Sequence, residues 1–318
     1  MKLSSIAECA GRARWMAAFA LLLSPLLLDQ CAAVASASPR PEDAVLAAKI
    51  QKLLWTALTS SDEKAGAAAQ DEMKKMFDAR GLPTIAEVGD EAAYEFVLLA
   101  FYQQPAEFRE RVLVEARGAA AKGEIPADAL AFLEVRMRIE QARAVAKKTP
   151  PTNPELRDKI LRMVVSDQEV RKREGFDLAH MESVDRQHEE PLRDILDKYG
   201  VPTISMVGPE AAAGFVLMIQ HQPMEFRRRV LPALKANVDA GEADAENYAL
   251  VYDRFARNEG RDQKYGTQLQ CDAKGELVEA PIEDAAGVNQ RRAELGMVRV
   301  ALYERLVRET QPNTCGGR

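Results

Sequence analysis

All three histidines of this 318-residue chain, His180, His188 and His221, fall in its second half. The other side chains suited to acid–base or ionic chemistry gather around them. His221 closes the apolar stretch Phe215–Ile219, and Pro223 opens the next helix. A helix C-terminus favours imidazolium, and imidazole is the side chain whose charge changes nearest neutral pH. Asp253 and Arg254 adjoin one another on a stretch whose apolar stripe is Tyr248, Val251, Tyr252 and Phe255. Helical spacing turns both away from that stripe, toward a face shared with Leu250 that a further element can cover. Tyr265-Gly266-Thr267-Gln268 follows in a loop, where functional groups concentrate. Asp167 and Arg171 are spaced i,i+4 and can pair, with Gln168 beside them. Arg292 completes the set.

Three uses of these residues stand open. In the first, Asp167, Gln168, Arg171, His221, Asp253, Arg254, Tyr265, Gln268 and Arg292 line a polar pocket for a small or peptidic ligand. Arg254 then clamps a carboxylate or phosphate, so the ligand is anionic. In the second, the chain is a hydrolase-like enzyme with His221 as general base, oriented by Asp253. Thr267 or a water is its nucleophile, and Arg254 stabilises developing negative charge. In the third, the polar set pins the fold and meets no ligand. The first is the expected function.

No metal site and no cofactor is expected. His180, Asp185 and His188 lie close in sequence, but the two histidines would stand about 12 Å apart along a helix. The chain lacks HExxH, GxxxxGK[ST], GxGxxG and GxSxG patterns.

The elements that must hold these groups read as helices. Pro41 can open one, and residues 105–122 and 127–147 form two more. Thr149–Pro154 cannot propagate a helix and reads as a linker. Helices follow at Leu156–Lys172, Leu192–Tyr199, around Phe226–Leu234, around Tyr248–Phe255 and through Met297–Val307. A hairpin between Tyr265–Cys271 and Glu276–Ala280, turning at Asp272–Gly275, is the one extended segment. The expected fold is mainly α: two tandem related helical domains, 41–148 and 155–318, the second with a small β-hairpin.

The relation between the halves is written in the sequence. Gly81-Leu82-Pro83-Thr84-Ile85 matches Gly200-Val201-Pro202-Thr203-Ile204, and Val88-Gly89 matches Val207-Gly208 at the same spacing. Phe96-Val97-Leu98 matches Phe215-Val216-Leu217, and Glu107-Phe108-Arg109 matches Glu225-Phe226-Arg227 after one gap. That much ordered identity reads as an internal duplication. Gln103 falls opposite His221 and Val135 opposite Asp253, so the first copy keeps the scaffold without the polar groups.

The second copy resembles a bacterial family of domains of unknown function found in exported and cytoplasmic proteins. The matching residues are Asp167-Gln168 with Arg171, Tyr199-Gly200-Val201-Pro202-Thr203, Val207-Gly208, Gln220-His221 and Asp253-Arg254. Gln263-x-Tyr265-Gly266-Thr267-Gln268 and Arg291-Arg292 before Leu295-Gly296 complete them, over about residues 155–306. The family usually shows an acidic residue after the histidine, where this chain has Gln222-Pro223. The resemblance implies a shared domain and no particular reaction.

The N-terminus reads as an export signal, residues 1–37. Lys2, Arg12 and Arg14 precede the apolar run Trp15–Leu28, and Ala35-Ser36-Ala37 supplies a cleavage pattern. The run falls short of the roughly 20 residues that span a bilayer, so no span remains after cleavage. Asp29 and Gln30 before Cys31 argue against a lipoprotein. The mature chain, secreted or periplasmic, keeps Cys271 and Cys315, an even pair expected to form a disulfide. A net charge of −6 argues against nucleic acid as a partner.

Overall fold

The computed structural model describes residues 41–102, 104–172, 177–310 and Cys315. The expected export signal, Cys9, Cys31 and Gln103 lie outside the described residues. The described residues form fourteen α-helices and one hairpin, and the fold is mainly α. None of these helices is long and apolar enough to cross a membrane.

Helices α1 (Pro41–Thr59), α2 (Glu63–Arg80), α3 (Ile85–Val88), α4 (Asp90–Phe101), α5 (Ala106–Ala121) and α6 (Ala127–Lys148) make up the first half. Its core is centred on α4, where every side chain from Ala92 to Phe101 is buried. Ile50, Leu54, Met73, Val112, Phe132 and Leu133 pack around it.

Helices α7 (Pro154–Lys172), α8 (Leu178–Tyr199), α9 (Ile204–Val207), α10 (Pro209–Ile219), α11 (Met224–Asp239) and α12 (Ala245–Asn258) follow. Ile160, Leu192, Ile195, Phe215, Met218, Val230, Leu234 and Val251 form a second core. The matched Gly-x-Pro-Thr-Ile segments adopt one conformation in both halves. Gly81 and Gly200 take φ of 74° and 71°, a region open chiefly to glycine. Thr84 and Thr203 cap α3 and α9 with their side chains. The amides of Ile85 and Ile204 donate to the carbonyls of Glu124 and Glu242 at 2.7 and 2.9 Å.

α8 starts at Leu178, fourteen residues earlier than the Leu192 expected from the sequence. The helix runs through Pro191 because Val184, His188, Leu192 and Ile195 make one buried stripe across it. The carbonyl that the proline leaves unbonded belongs to Gln187, an exposed residue that water can reach.

After α12 comes the hairpin of β1 (Leu269–Cys271) and β2 (Leu277–Glu279), antiparallel with Gln270 opposite Val278. Asp272 closes its turn by accepting from the amides of Lys274 and Glu276, each at 2.8 Å. Cys271 is joined to Cys315. Helices α13 (Val288–Ala293) and α14 (Val300–Thr310) complete the fold. Ala293 and Leu302 belong to the first core, so the chain returns to where it began. Between these helices Arg299, 6% exposed, binds Asp128 through two nitrogens at 2.7 and 2.8 Å and Asp90 at 2.6 Å. Its backbone amide donates to the Tyr94 hydroxyl at 3.0 Å.

What brings the first polar groups together is a close helix approach. A Cβ on Gly214 of α10 would lie 2.5 Å from Val164 Cγ2 of α7. One turn beyond Val164 stands Asp167. Two turns beyond Gly214, past the end of α10, stands His221.

Candidate functional site

Asp167 and His221 meet. The carboxylate, 1% exposed, lies 2.9 Å from His221 Nδ1. It also accepts from Gln168 Nε2 at 2.8 Å and pairs with Arg171 at 2.9 Å. Burial would raise this carboxyl. The hydrogen bonds from His221 and Gln168 and the charges of His221 and Arg171 outweigh it and hold the group below its ordinary 3.8. An ionised Asp167 can only accept, so the proton of a neutral His221 sits on Nδ1. Nε2 is then an acceptor on a side chain 16% exposed, and no described residue hydrogen-bonds it.

Arg171 extends the group to α8 through Asp185 at 2.6 Å. Gln222, next to His221, donates to the Asp185 carbonyl at 3.1 Å. Asp167, Asp185 and His221 bring possible metal-ligating atoms within 4.8 Å of one another. Arg171 already lies between the two carboxylates and bonds both, so a guanidinium occupies the place a cation would take.

His188, 7% exposed, is the second imidazole here. Its Nε2 lies 2.9 Å from Ser166 Oγ, which is also 2.9 Å from the Met163 carbonyl. A carbonyl can only accept, so the serine hydrogen goes to Met163 and His188 Nε2–H donates to Oγ. Nδ1 is left as a buried acceptor without a partner among the described residues. Burial lowers the pKa of His188, and a protonated Nδ1 would strand a donor there. Ser166 is therefore not poised as a nucleophile.

The second group of sequence candidates is arranged differently. Asp253 is fully buried. Its carboxylate accepts from the amides of Lys264, Tyr265 and Thr267 at 2.8, 3.1 and 2.9 Å and from the Thr267 hydroxyl at 2.9 Å. Burial raises this carboxyl against those donors. Arg292, 1% exposed, grips the same loop from the far side, donating to the carbonyls of Tyr265 and Val298 at 2.6 and 2.5 Å. Tyr303 donates to the Thr267 carbonyl at 3.0 Å. The Tyr265 ring, also buried, packs edge-on to Tyr248 and Tyr252. Gly266 (φ 68°) has no room for a side chain, since a Cβ would meet Val300 and Ile282 at 2.8 and 2.9 Å.

Two expectations are corrected by this geometry. Asp253 does not orient His221; Asp167 does, because the Asp253 oxygens are used by the 264–267 backbone. Thr267 is not available as a nucleophile, because its buried hydroxyl donates to Asp253. Of the expected pocket, Asp253, Tyr265 and Arg292 bind the backbone of this loop together with Thr267, the expected nucleophile, while Arg254 and Gln268 stand at the edge of that network. Arg254 Nε reaches Gln268 Oε1 only at 3.5 Å. A groove of about 710 Å³ opens elsewhere, between α6 and the α10–α12 side, with Ile139, Ala142, Pro209 and Val238 in its walls. None of the sequence-expected site residues lines it.

The comparison with protein families matches residues 154–312 to a family of unknown function, DUF6624. The chain belongs to that family. No curated protein and no solved structure matches it. The DUF6624 segment opens at α7, which carries Asp167, and closes within two residues of the end of α14. It therefore holds both polar groups whole.

Several residues of these polar groups within the DUF6624 segment were not legible in the sequence. Asp185 and His188 were weighed only as metal ligands with His180, which is exposed. Ser166 and Gln222 carried no local signal. Arg227 carried one, since it repeats Arg109, but that match was read as scaffold.

Proposed function

We propose that the DUF6624 segment is the binding module of an exported protein, and that ligand recognition centres on the outward edge of His221. One observation carries the reading. The Asp167–His221 bond fixes the tautomer of a neutral imidazole and leaves Nε2 as an acceptor on a partly exposed side chain. Arg171 pairs with Asp167 and with Asp185, so the aspartate that orients the ring is itself held in place. The export reading rests on residues 1–37 and on the disulfide of Cys271 and Cys315, a bond that persists in oxidising compartments. An internal duplication, whose first copy kept the turns and lost the polar set, accounts for the matched Gly-x-Pro-Thr-Ile geometry.

A second reading follows from the same bond. An aspartate holding imidazole Nδ1–H is the arrangement that makes Nε2 a general base. Water would be its nucleophile, since Thr267 and Ser166 are committed elsewhere.

A thermal-shift panel of amino acids, dipeptides, dicarboxylates and sugar phosphates tests both readings, with wild type beside His221→Ala. Binding lost in the variant supports the module. A ligand that still binds the variant but is no longer turned over supports the enzyme. Panel binding and turnover both indifferent to His221→Ala refute both.

A further inference from the structure

Arg227 on α11 is 8% exposed, and among the described residues its buried Nε and Nη1 have no hydrogen-bond partner. Only Nη2 is used, donating to the Gln222 carbonyl at 3.2 Å. Arg254, on the neighbouring α12, is half-buried and makes the single long contact to Gln268. Among the described residues no carboxylate forms an ion pair with either. Each feels burial as an unfavourable field, and Arg254's charge adds to that at Arg227.

The first half shows what an ordinary solution looks like. Arg109, which matches Arg227, also has a buried Nε without a hydrogen-bond partner among the described residues, but it is only partly buried and its guanidinium lies across the Phe101 ring at 4.9 Å. Arg136, which matches Arg254, lies over the Phe132 ring at 5.7 Å. Arg227 and Arg254 have neither an aromatic face nor an acid among the described residues. Two like charges held inside a protein without a counter-charge cost stability, and such costs persist where a ligand repays them.

We propose that Arg254, backed by the buried charge of Arg227, binds an oxyanion, the phosphate or carboxylate group of the ligand. Arg254 makes the contact at its open edge. Arg227 acts through its field from behind, which a poorly solvated site transmits strongly. Gln268 and the Tyr303 side of α14 border the position. The inference rests on the binding reading and gives its ligand a charge. Gln222 ties the two places together, since its side chain holds Asp185 and its carbonyl holds Arg227.

The test is isothermal titration of the mature chain with inorganic phosphate and, separately, acetate, at an ionic strength fixed with sodium chloride. Saturable binding of at least one anion is expected. Arg254→Gln should weaken it about tenfold or more, the loss of one charge-assisted hydrogen bond. Arg254→Lys should fall between. Arg227→Met should weaken it as well, and if that variant does not fold, Arg254→Gln and Arg254→Lys decide alone. The absence of saturable binding to wild type, or equal affinity in wild type and Arg254→Gln, overturns the proposal. The anion titration and the His221→Ala thermal-shift panel are separate measurements, so failure of the His221 reading and failure of this one are told apart.

Discussion

Asp167 and His221 lie 54 residues apart in sequence and 2.9 Å apart in space, and the helix approach of Gly214 to Val164 is what joins them. Asp167→Asn removes the negative charge that His221, Gln168 and Arg171 all use. It should cost roughly 1–3 kcal/mol in urea unfolding at pH 7. Asp167→Asn and His221→Ala should be non-additive in a double-mutant cycle, since they share one interaction. The Asp167 carboxyl titrates below 3.8 in the folded chain. Its contribution is therefore full above that pH and is lost as acid takes the pH through the folded value. Asp167→Asn should flatten the acid limb of the stability curve.

Glu279 should behave with the opposite sign. Its Oε1 and that of Glu304 are buried without hydrogen-bond partners among the described residues. Burial, then the charge of Glu304, pushes Glu279 above its ordinary 4.5. The folded carboxyl thus holds its proton more tightly than the unfolded one, and stability falls as the pH rises above 4.5. Glu279→Gln should raise the melting temperature at pH 7 and leave it unchanged at pH 4. A variant that loses stability at pH 7 would contradict this.

Gly214→Ala places a methyl group 2.5 Å from Val164 Cγ2. The helices must part, at a cost of about 1–3 kcal/mol. Val164→Ala in the same chain should restore most of that loss. A single Gly214→Ala variant as stable as wild type in urea would mean that α7 and α10 are not in contact there.

The Cys271–Cys315 disulfide closes a loop with a sequence separation of 44. Loop-closure entropy assigns such a bond about 4 kcal/mol. Unfolding followed by circular dichroism with and without a reductant should show a drop of that order. Cys271→Ser with Cys315→Ser should match the reduced protein.

The sequence showed the fold better than it showed the site, and the residues explain why. Helices, the 149–153 break and the Asp272–Gly275 turn are set by local chemistry: proline, glycine, capping side chains and apolar spacing. α8 was the exception, because Pro191 is a strong local signal that a buried stripe overrode. In the site, Asp167 with Arg171 was legible because i,i+4 neighbours meet on any helix. Asp167 with His221 was not, since both their distance in sequence and the Gly214 approach are tertiary facts. The same holds for Arg227, whose lack of partners cannot be read from a string. The Asp253 motif stands out in the sequence, but its density of polar residues reflects a loop clamped through its backbone.

Arg299 has a consequence for kinship. It sits inside the DUF6624 segment, yet the acids that neutralise it, Asp90 and Asp128, belong to the stretch that precedes the segment. A protein bearing the segment without such a neighbour would have to hold an uncharged side chain there or find new acids. The residue at this position should therefore sort family members into those that travel alone and those that carry a companion.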